Sequence, residues 1–459
     1  MLDDMLDYLE KTRERPVWQP IPEEVRAAFI TPLAAAPMAL PEVHDLFMKQ
    51  VLPYTVGNTH PGFMGWVHGG GNPVGMLAEM LAAGLNANLG GRDQIPLEVE
   101  RQVTAWVRDL FGFPLGASGL FVTGTSQANL IGVLVARATA LGVEVRRSGL
   151  SADGRRLVAY TSAGAHCSIA QAMDVAGLGT AALRMIDVDD LHRMDVTALE
   201  CAIATDRKQG YTPFFIAASA GTVDVGAIDP LVELAEIAHR EGLWLHVDGA
   251  YAALAILAPD IAPLLAGIEQ ADSIAFDFHK WGQAPYDAGF ILVRDGGRHE
   301  ATFAAPTAYL KRATRGMAAG SPWPCDFGTD LSRGFRALKV WFALKVYGAA
   351  QMGAVISHAC KLARQLEQRI NREAELELLA PVALNVVCFR YRCNNADQVN
   401  ADIVVALQES GIVAPSTTTV RGTVAIRAAI VNHRTQAEDI DALVETTLNF
   451  GRILTCRDL

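Results

Sequence analysis

No two cysteines in this chain have the spacing of a metal or redox pair. The seven stand at positions 167, 201, 325, 360, 388, 393 and 456, with no CxxC among them. An odd number spread this widely implies free thiols in a reducing compartment, so a cytoplasmic protein is expected. Cys388 and Cys393 lie close together, but two cysteines do not make a zinc site, and no metal is expected. Charge is also scarce: 19% of residues are charged, and the net charge is -11 with no Lys/Arg run. That excludes a broad basic footprint for nucleic acid. The apolar stretches are interrupted by Gly, Pro or charge before they reach spanning length, so no membrane helix is expected. The first residues, Met1 to Glu14, are rich in Asp, Glu and Arg and do not read as a signal peptide. Repeats and low-complexity tracts are missing too.

What the chain has in quantity is apolar material, 51% of 459 residues. Single cores stop growing near roughly 250–300 residues, so two or three folding units are expected. Residues 1–65 read as a helical segment, with amphipathic helices at Asp3–Arg13 and Pro41–Val51 and too little core to stand alone. Residues 66–345 alternate. Helices are expected at Met76–Ala87, Pro96–Phe111, Gln127–Leu141, Val196–Asp206 and Pro230–Glu241. Short apolar runs read as buried strands at Gly119–Thr123, Leu157–Thr161, Ala182–Ile186, Phe214–Ala218, Leu243–Val247, Ser273–Phe276 and Phe290–Val293. Alternating β and α with near-continuous apolar strands makes an α/β domain with a mainly parallel central sheet. Residues 346–459 read as a smaller C-terminal α+β domain. It opens with helix Ala349–Glu373, continues through strand Val386–Tyr391, helix Asn400–Ser410 and strand Val424–Ile430, and closes with a helix from Glu438.

Open α/β sheets bind ligands at the carboxyl ends of their strands. Asp248 follows one strand and Asp277-Phe-His279-Lys280-Trp281 another. His166 lies after a third, and Gly124-Thr125-Ser126 opens a helix after a fourth. Taken singly, each has an ordinary structural use: a cap or turn for Asp248 and Gly124-Thr125-Ser126, a satisfied structural histidine for His166, a solvated surface for Lys280. Between His279 and Trp281, however, Lys280 has apolar neighbours, and burial would depress its pKa and make it a nucleophilic amine. A helix start offers N–H groups to a phosphate. A lysine for an aldehyde, a carboxylate for a ring nitrogen, a phosphate cradle and a flat stacking partner together match one cofactor, pyridoxal 5′-phosphate (PLP). In that arrangement Asp248 keeps the ring nitrogen protonated, His166 stacks on one face, and the small Ala250 leaves room on the other.

The stretch Ser273-Ile-Ala-Phe-Asp-Phe-His279-Lys280-Trp281-Gly resembles the lysine signature of the group II PLP-dependent amino-acid decarboxylases. That family includes aromatic-L-amino-acid, histidine, glutamate and cysteine-sulfinate decarboxylases. His246-Val-Asp-Gly-Ala-Tyr-Ala, Ala165-His166-Cys-Ser, Ser219-Ala-Gly-Thr222, Gly124-Thr-Ser-Gln-Ala-Asn and Phe335-Arg-Ala-Leu-Lys-Val-Trp341 follow in the family's order. The resemblance implies the fold type I (aspartate aminotransferase-like) architecture. It implies Lys280 as the lysine that carries the cofactor and Asp248 as the partner of its ring nitrogen. It places His166 on the ring, Thr125 and Ser126 on the phosphate with His279 nearby, and Thr222 beside the ring. It also implies a homodimer whose N-terminal segment wraps the partner, and His60 with Phe63 at the substrate entrance. His60-Pro-Gly-Phe63 reads equally well as a plain turn.

The expected activity is decarboxylation of an L-amino acid to the amine and CO2, with the scissile carboxylate held perpendicular to the ring. Aromatic substrates are favoured because Phe63 and Trp66 are apolar, although both could be core. Arg427 reads as a domain-interface residue rather than a substrate clamp. Two positions depart from the family. Its lid tyrosine, which assists protonation at Cα, has no counterpart near Ser321-Pro-Trp323-Pro-Cys325. Tyr309, near the start of the Gly/Pro-rich stretch Thr307–Asp330, is the one tyrosine there, and the composition suits a mobile lid. A reaction without that proton can turn to oxygen and release an aldehyde. Asp277 stands where several members have Asn, a carboxylate close to the phosphate. A retro-aldol lyase, a transaminase and a non-catalytic PLP-binding protein remain as alternatives.

Overall fold

The computed structural model describes residues 1–150, 154–305 and 311–456. The sequence suggested boundaries near 65 and 345; the chain forms two compact units, Val74–Ser357 and Met1–Pro73 together with His358–Leu459. Strand β1 (Phe63–Met64) belongs to the smaller unit. The larger carries β2 (Ser118–Val122), β3 (Leu157–Ser162), β4 (Leu183–Ile186), β5 (Thr212–Ser219), β6 (Trp244–Asp248), β7 (Ser273–Asp277) and β8 (Gly289–Val293). Four more strands complete the smaller unit: β9 (Leu376–Leu378), β10 (Val386–Tyr391), β11 (Ala414–Val420) and β12 (Thr423–Ala429).

The larger unit's sheet has the order β2-β8-β7-β6-β5-β3-β4. Pairs from β7 to β4 are parallel, and β8 is antiparallel to both β7 and β2. The sheet is therefore mainly parallel, as the unbroken apolar runs imply: every residue of β3, β6, β7 and β8 is buried. Because β2, β3, β5, β6 and β7 run the same way, their carboxyl ends share one edge, and the residues that follow them are gathered there.

Helix Thr125–Leu141 lies against this sheet. Ala128, Ile131 and Val135 pack with Leu120, Val122, Leu157, Ala159 and Ala275. The helix approaches closely at Gly132, where a Cβ would stand 2.8 Å from His246 Nδ1. The Phe111, Phe121, Phe276, Phe278 and Phe290 rings form a second cluster with centroid spacings of 5.0–6.1 Å. Beside it Arg333, almost fully buried, donates to Glu100, Leu89 O and Phe121 O.

The smaller unit's sheet has the order β1-β11-β12-β10-β9. Its core draws on both chain termini: β1 pairs in parallel with β11, Phe63 opposite Ala414, and Arg13 donates to both oxygens of Asp439 at 2.7 and 3.2 Å. The N-terminal segment thus finds its core in residues some 350 positions away. β11 was not expected, because Pro-Ser-Thr-Thr-Thr has the composition of a loop. By length and composition alone, Arg336–Arg372 could cross a membrane. It is broken at Gly348 (φ 75°), and Ala359, Leu362, Ala363, Leu366 and Ile370 are taken up in the smaller unit's core.

Candidate active site

At the end of β7 the chain turns sharply. Asp277 N–H donates to Ala250 O at 2.9 Å, and Phe278 N–H donates to Ala288 O at 2.8 Å. This turn seats Asp277, His279 and Lys280 on the carboxyl edge. Lys280 Nζ lies 3.1 Å from Asp277 Oδ2, with the lysine side chain 21% exposed and the aspartate buried. Lys280 is therefore held by a carboxylate, not sealed among apolar groups as its sequence neighbours suggested; Phe278 and Trp281 turn into the core instead. Asp277 Oδ1 accepts from Thr125 N–H at 2.8 Å, and His279 Nε2 lies 3.5 Å from Oδ2. The carboxylate that looked out of place in the sequence is thus paired three ways: by the amine, the imidazole and the positive start of helix Thr125–Leu141. Ala288 N–H donates to His279 Nδ1 at 3.0 Å, which leaves the ring proton on Nε2, facing Asp277. Burial brings the His279 pKa down to about 4.

Asp248 ends β6 and is buried. It accepts from Asn129 Nδ2 at 2.8 Å and from Ala250 N–H at 3.1 Å. Burial raises its pKa; the Asn129 hydrogen bond, the Lys280 and His166 fields and the Ala250 N–H oppose the rise. His166 is exposed on the loop after β3, and its Nδ1 accepts from Ser168 N–H at 3.2 Å, with Ser168 Oγ at 2.8 Å. Its proton therefore sits on Nε2 in the neutral ring. Thr222, after β5, is pinned by Ala227: Ala227 N–H donates to its Oγ1 at 2.9 Å and its own N–H donates to Ala227 O at 2.7 Å. Ser126 is exposed beside the buried Thr125.

The residues present fit PLP. Thr125 Oγ1 and Ser162 Oγ are buried on this edge without a hydrogen-bond partner among the described residues, an arrangement that costs free energy unless a ligand completes it. An anchoring amine, a buried carboxylate and a helix start stand together here. The larger unit accordingly brings together Lys280, His279, Asp248, Ala250, His166, Thr222, Thr125 and Ser126.

His60 and Phe63 belong to the smaller unit. There Gly62 N–H donates to His60 Nδ1 at 2.9 Å, and Phe63 is buried against Val17 and Ala414. Trp66, its backbone at φ 47°, stacks on His68 at 5.8 Å and accepts at its carbonyl from Arg427 at 2.9 Å. Tyr309 lies outside the described residues. The described remainder of the Gly/Pro-rich stretch is anchored rather than loose. Trp323 is buried, donates to Ala319 O at 2.8 Å, and lies under the Arg312 guanidinium at 3.6 Å from its ring centre. Arg312 in turn grips both oxygens of Asp326 at 2.6 and 2.8 Å. Three further residues went unassigned in the sequence: Asn129, Ser168 and His246. Asn129 stands four positions after Thr125, one helical turn along the same face, and that spacing was the available signal.

A family model described as the pyridoxal-dependent decarboxylase conserved domain matches residues 31–392. The aromatic-L-amino-acid decarboxylase of Bacillus atrophaeus is 32% identical over 453 residues, covering 96% of this chain and 91% of that protein. Phenylacetaldehyde synthase of Arabidopsis thaliana is 28% identical over 448 residues, covering 94% and 90%. Among solved structures, Oryza sativa TDC with PLP and tryptamine matches with a TM-score of 0.90 at 23% identity, covering 99% of this chain and 96% of that one, a likeness of fold.

Proposed function

The chain belongs to the pyridoxal-dependent decarboxylase family, and from that premise we propose which residues carry its chemistry and which substrate class it takes. It is a PLP-dependent carboxy-lyase acting on an amino acid, built on the fold type I architecture. Bound PLP supplies the electron sink for the pair left when the Cα–carboxylate bond breaks. In our reading Lys280 Nζ holds the cofactor's aldehyde carbon, and Asp277 aims the amine. Asp248 grips the protonated ring nitrogen. Thr125, Ser126 and the helix start take the phosphate, with His279 behind them, while Thr222 and Ala250 border the ring. His166 would lie beside the ring, where its Nε2–H is the group available to orient the substrate carboxylate for departure. The observation that carries this reading is the meeting of the Lys280–Asp277 pair and the buried Asp248 on one sheet edge. Peptide mapping after borohydride reduction tests it: the tag should fall on Lys280, and a tag elsewhere refutes the assignment.

The substrate we propose is an aromatic L-amino acid. The 32% relative named for aromatic L-amino acids supports it. CO2 release across a panel of amino acids would decide it; faster turnover of glutamate than of tyrosine, phenylalanine or tryptophan would overturn it. A second outcome is favoured by the family resemblance, under which a lid tyrosine is expected near Ser321-Pro-Trp323-Pro-Cys325 and none stands there. Without that proton donor, the amino acid, O2 and water would yield the aldehyde, CO2, ammonia and hydrogen peroxide. Peroxide formed in step with CO2 distinguishes it from amine formation.

The working form we propose is a homodimer in a reducing, cytoplasmic setting. Ile30 and Leu33 are 82% and 96% exposed, and Phe29, Met38, Leu40 and Val43 extend that apolar stretch. A second copy would cover it. Light scattering that returned only the 49.2 kDa monomer would refute the dimer. All seven cysteines are free, which suits a reducing compartment.

A further inference from the structure

Behind Asp248 lies a run of buried polar groups for which the chemistry above has no use. Trp244 Nε1–H donates to Ser273 Oγ at 2.8 Å, and Ser273 Oγ lies 2.7 Å from His246 Nδ1. His246 Nε2 lies 2.8 Å from Asn129 Oδ1, and Asn129 Nδ2 lies 2.8 Å from Asp248 Oδ2 and 2.9 Å from Ser168 Oγ. His246, Asn129 and Ser273 are completely buried. The protons can be placed from the carboxylate end. An ionised Asp248 only accepts, so Asn129 turns its NH2 toward it and its oxygen toward His246, which must donate from Nε2. In the neutral ring Nδ1 is then an acceptor, so Ser273 gives it the hydroxyl proton while accepting from the Trp244 indole, which only donates.

We propose that His246 and Asn129 are positioning residues. A one-way chain of hydrogen-bond donors, Trp244 to Ser273 to His246 to Asn129 to Asp248, holds that carboxylate anionic and aimed at the cofactor's ring nitrogen. Donors aligned in one direction polarise one another, and they do so most in a dry interior. The second N–H of Asn129 reaches Ser168, whose backbone N–H donates to His166 Nδ1, so the same amide also steadies that histidine. His246 is the element that keeps Asn129 from flipping. A flipped amide would present its oxygen to Asp248 and drive the carboxylate out of place. Lys280 and His166 are the charged or titratable groups whose fields reach Asp248. Phe215, stacked at 5.6 Å, and the Cβ-free face of Gly132 surround His246, so its neutral form meets no competing charge from them. The inference rests on Asp248 being the nitrogen partner.

The test combines a direct and a functional readout. In protein carrying 15N-histidine, with and without cofactor, the His246 signal, identified by its loss in His246→Gln, should be the Nε2–H tautomer and unchanged between pH 6 and 8. An Nδ1–H tautomer or a titrating ring overturns the chain. His246→Leu removes the donor to Asn129, whereas His246→Gln keeps an N–H there and an oxygen for Ser273. His246→Leu should weaken PLP binding about tenfold or more, the scale of leaving a buried acceptor, here Asn129 Oδ1, without its donor. It should also move the acid limb of kcat/KM to higher pH, and His246→Gln should restore both to within about threefold. Equal behaviour of the two variants overturns the proposal. Should His246→Leu fail to fold, Ser273→Ala removes only a hydroxyl and should produce a smaller loss in the same direction together with a mixed tautomer signal. Asp248→Asn separates the two levels. If it leaves PLP binding unchanged, the nitrogen-partner assignment has failed. If it cripples binding while His246→Leu does not, only the chain has.

Discussion

Acid should destabilise the larger unit mainly through three histidines held away from water. Burial holds the pKa values of His246 and His299 at about 3 and that of His279 at about 4. In the unfolded chain each returns to about 6.5. The folded value is the lower one, so the contribution is complete above pH 6.5 and is lost as pH falls toward 3, because the unfolded chain takes up protons that the folded one refuses. Between pH 7 and pH 5 the loss is about 2 kcal/mol per histidine, or about 6 for the three. Buried carboxylates oppose it. Burial raises Asp229 to about 6, against the Ser219 and Met194 N–H groups that lower it, and it raises Asp248 and Asp272 as well. Asp229 therefore binds a proton in the folded state over the same interval and returns about 1 kcal/mol, and Asp248 and Asp272 act in the same direction. The net expectation is a fall of up to about 5 kcal/mol, read by urea unfolding of the cofactor-free protein through tryptophan fluorescence at pH 7, 6 and 5. His299 touches no site residue; Ser118 Oγ lies 2.8 Å from its Nδ1. His299→Gln should leave the pH 5 to 7 difference smaller by about 2 kcal/mol, whatever it does to absolute stability. A wild-type stability flat over this range, or a His299→Gln variant with the full wild-type difference, would refute the reasoning.

Other perturbations have equally definite outcomes. Lys280→Ala should abolish turnover and borohydride tagging while unfolding cooperatively like wild type; retained tagging would show that another lysine carries PLP. Gly132→Ala places a methyl 2.8 Å from His246 Nδ1, and overpacking of this kind should cost about 1–3 kcal/mol by urea unfolding. Glu100→Ala leaves the buried Arg333 without the carboxylate it meets at 2.6 Å and should cost about 3–5 kcal/mol in the same assay. Arg312→Ala removes the cation over Trp323 and the partner of Asp326; increased protease cleavage within residues 311–330 is expected, and unchanged resistance would argue against the anchoring role.

Much of the larger unit could be read from local pattern. All seven of its strands fall within two residues of the apolar runs that announced them, because strands buried on both faces leave an unmistakable signal in sequence. Helix Val196–Lys208, with Asp195 accepting from Ala198 N–H at its start, was equally legible. β11 was not, since threonine and serine on a half-buried strand look like a loop. The anchoring of residues 311–330 was also hidden. Gly and Pro content reports the freedom of a free chain, whereas the Arg312–Trp323–Asp326 cluster that restrains it is visible only once the segment is folded.

The sequence by itself determined the chemistry: a lysine, two carboxylates, a histidine and a helix start placed after parallel strands, whose common direction sends the loops that follow them to one edge. Only the tertiary structure decided how those groups are held. Asp277 is paired because a backbone turn lays it against Thr125 and Lys280, 152 positions and three positions away. Asn129 and His246 become partners because Gly132 lets a helix close on the sheet. Hydrogen bonds of that kind depend on distance and angle to within tenths of an ångström, and neither is encoded by spacing along the chain.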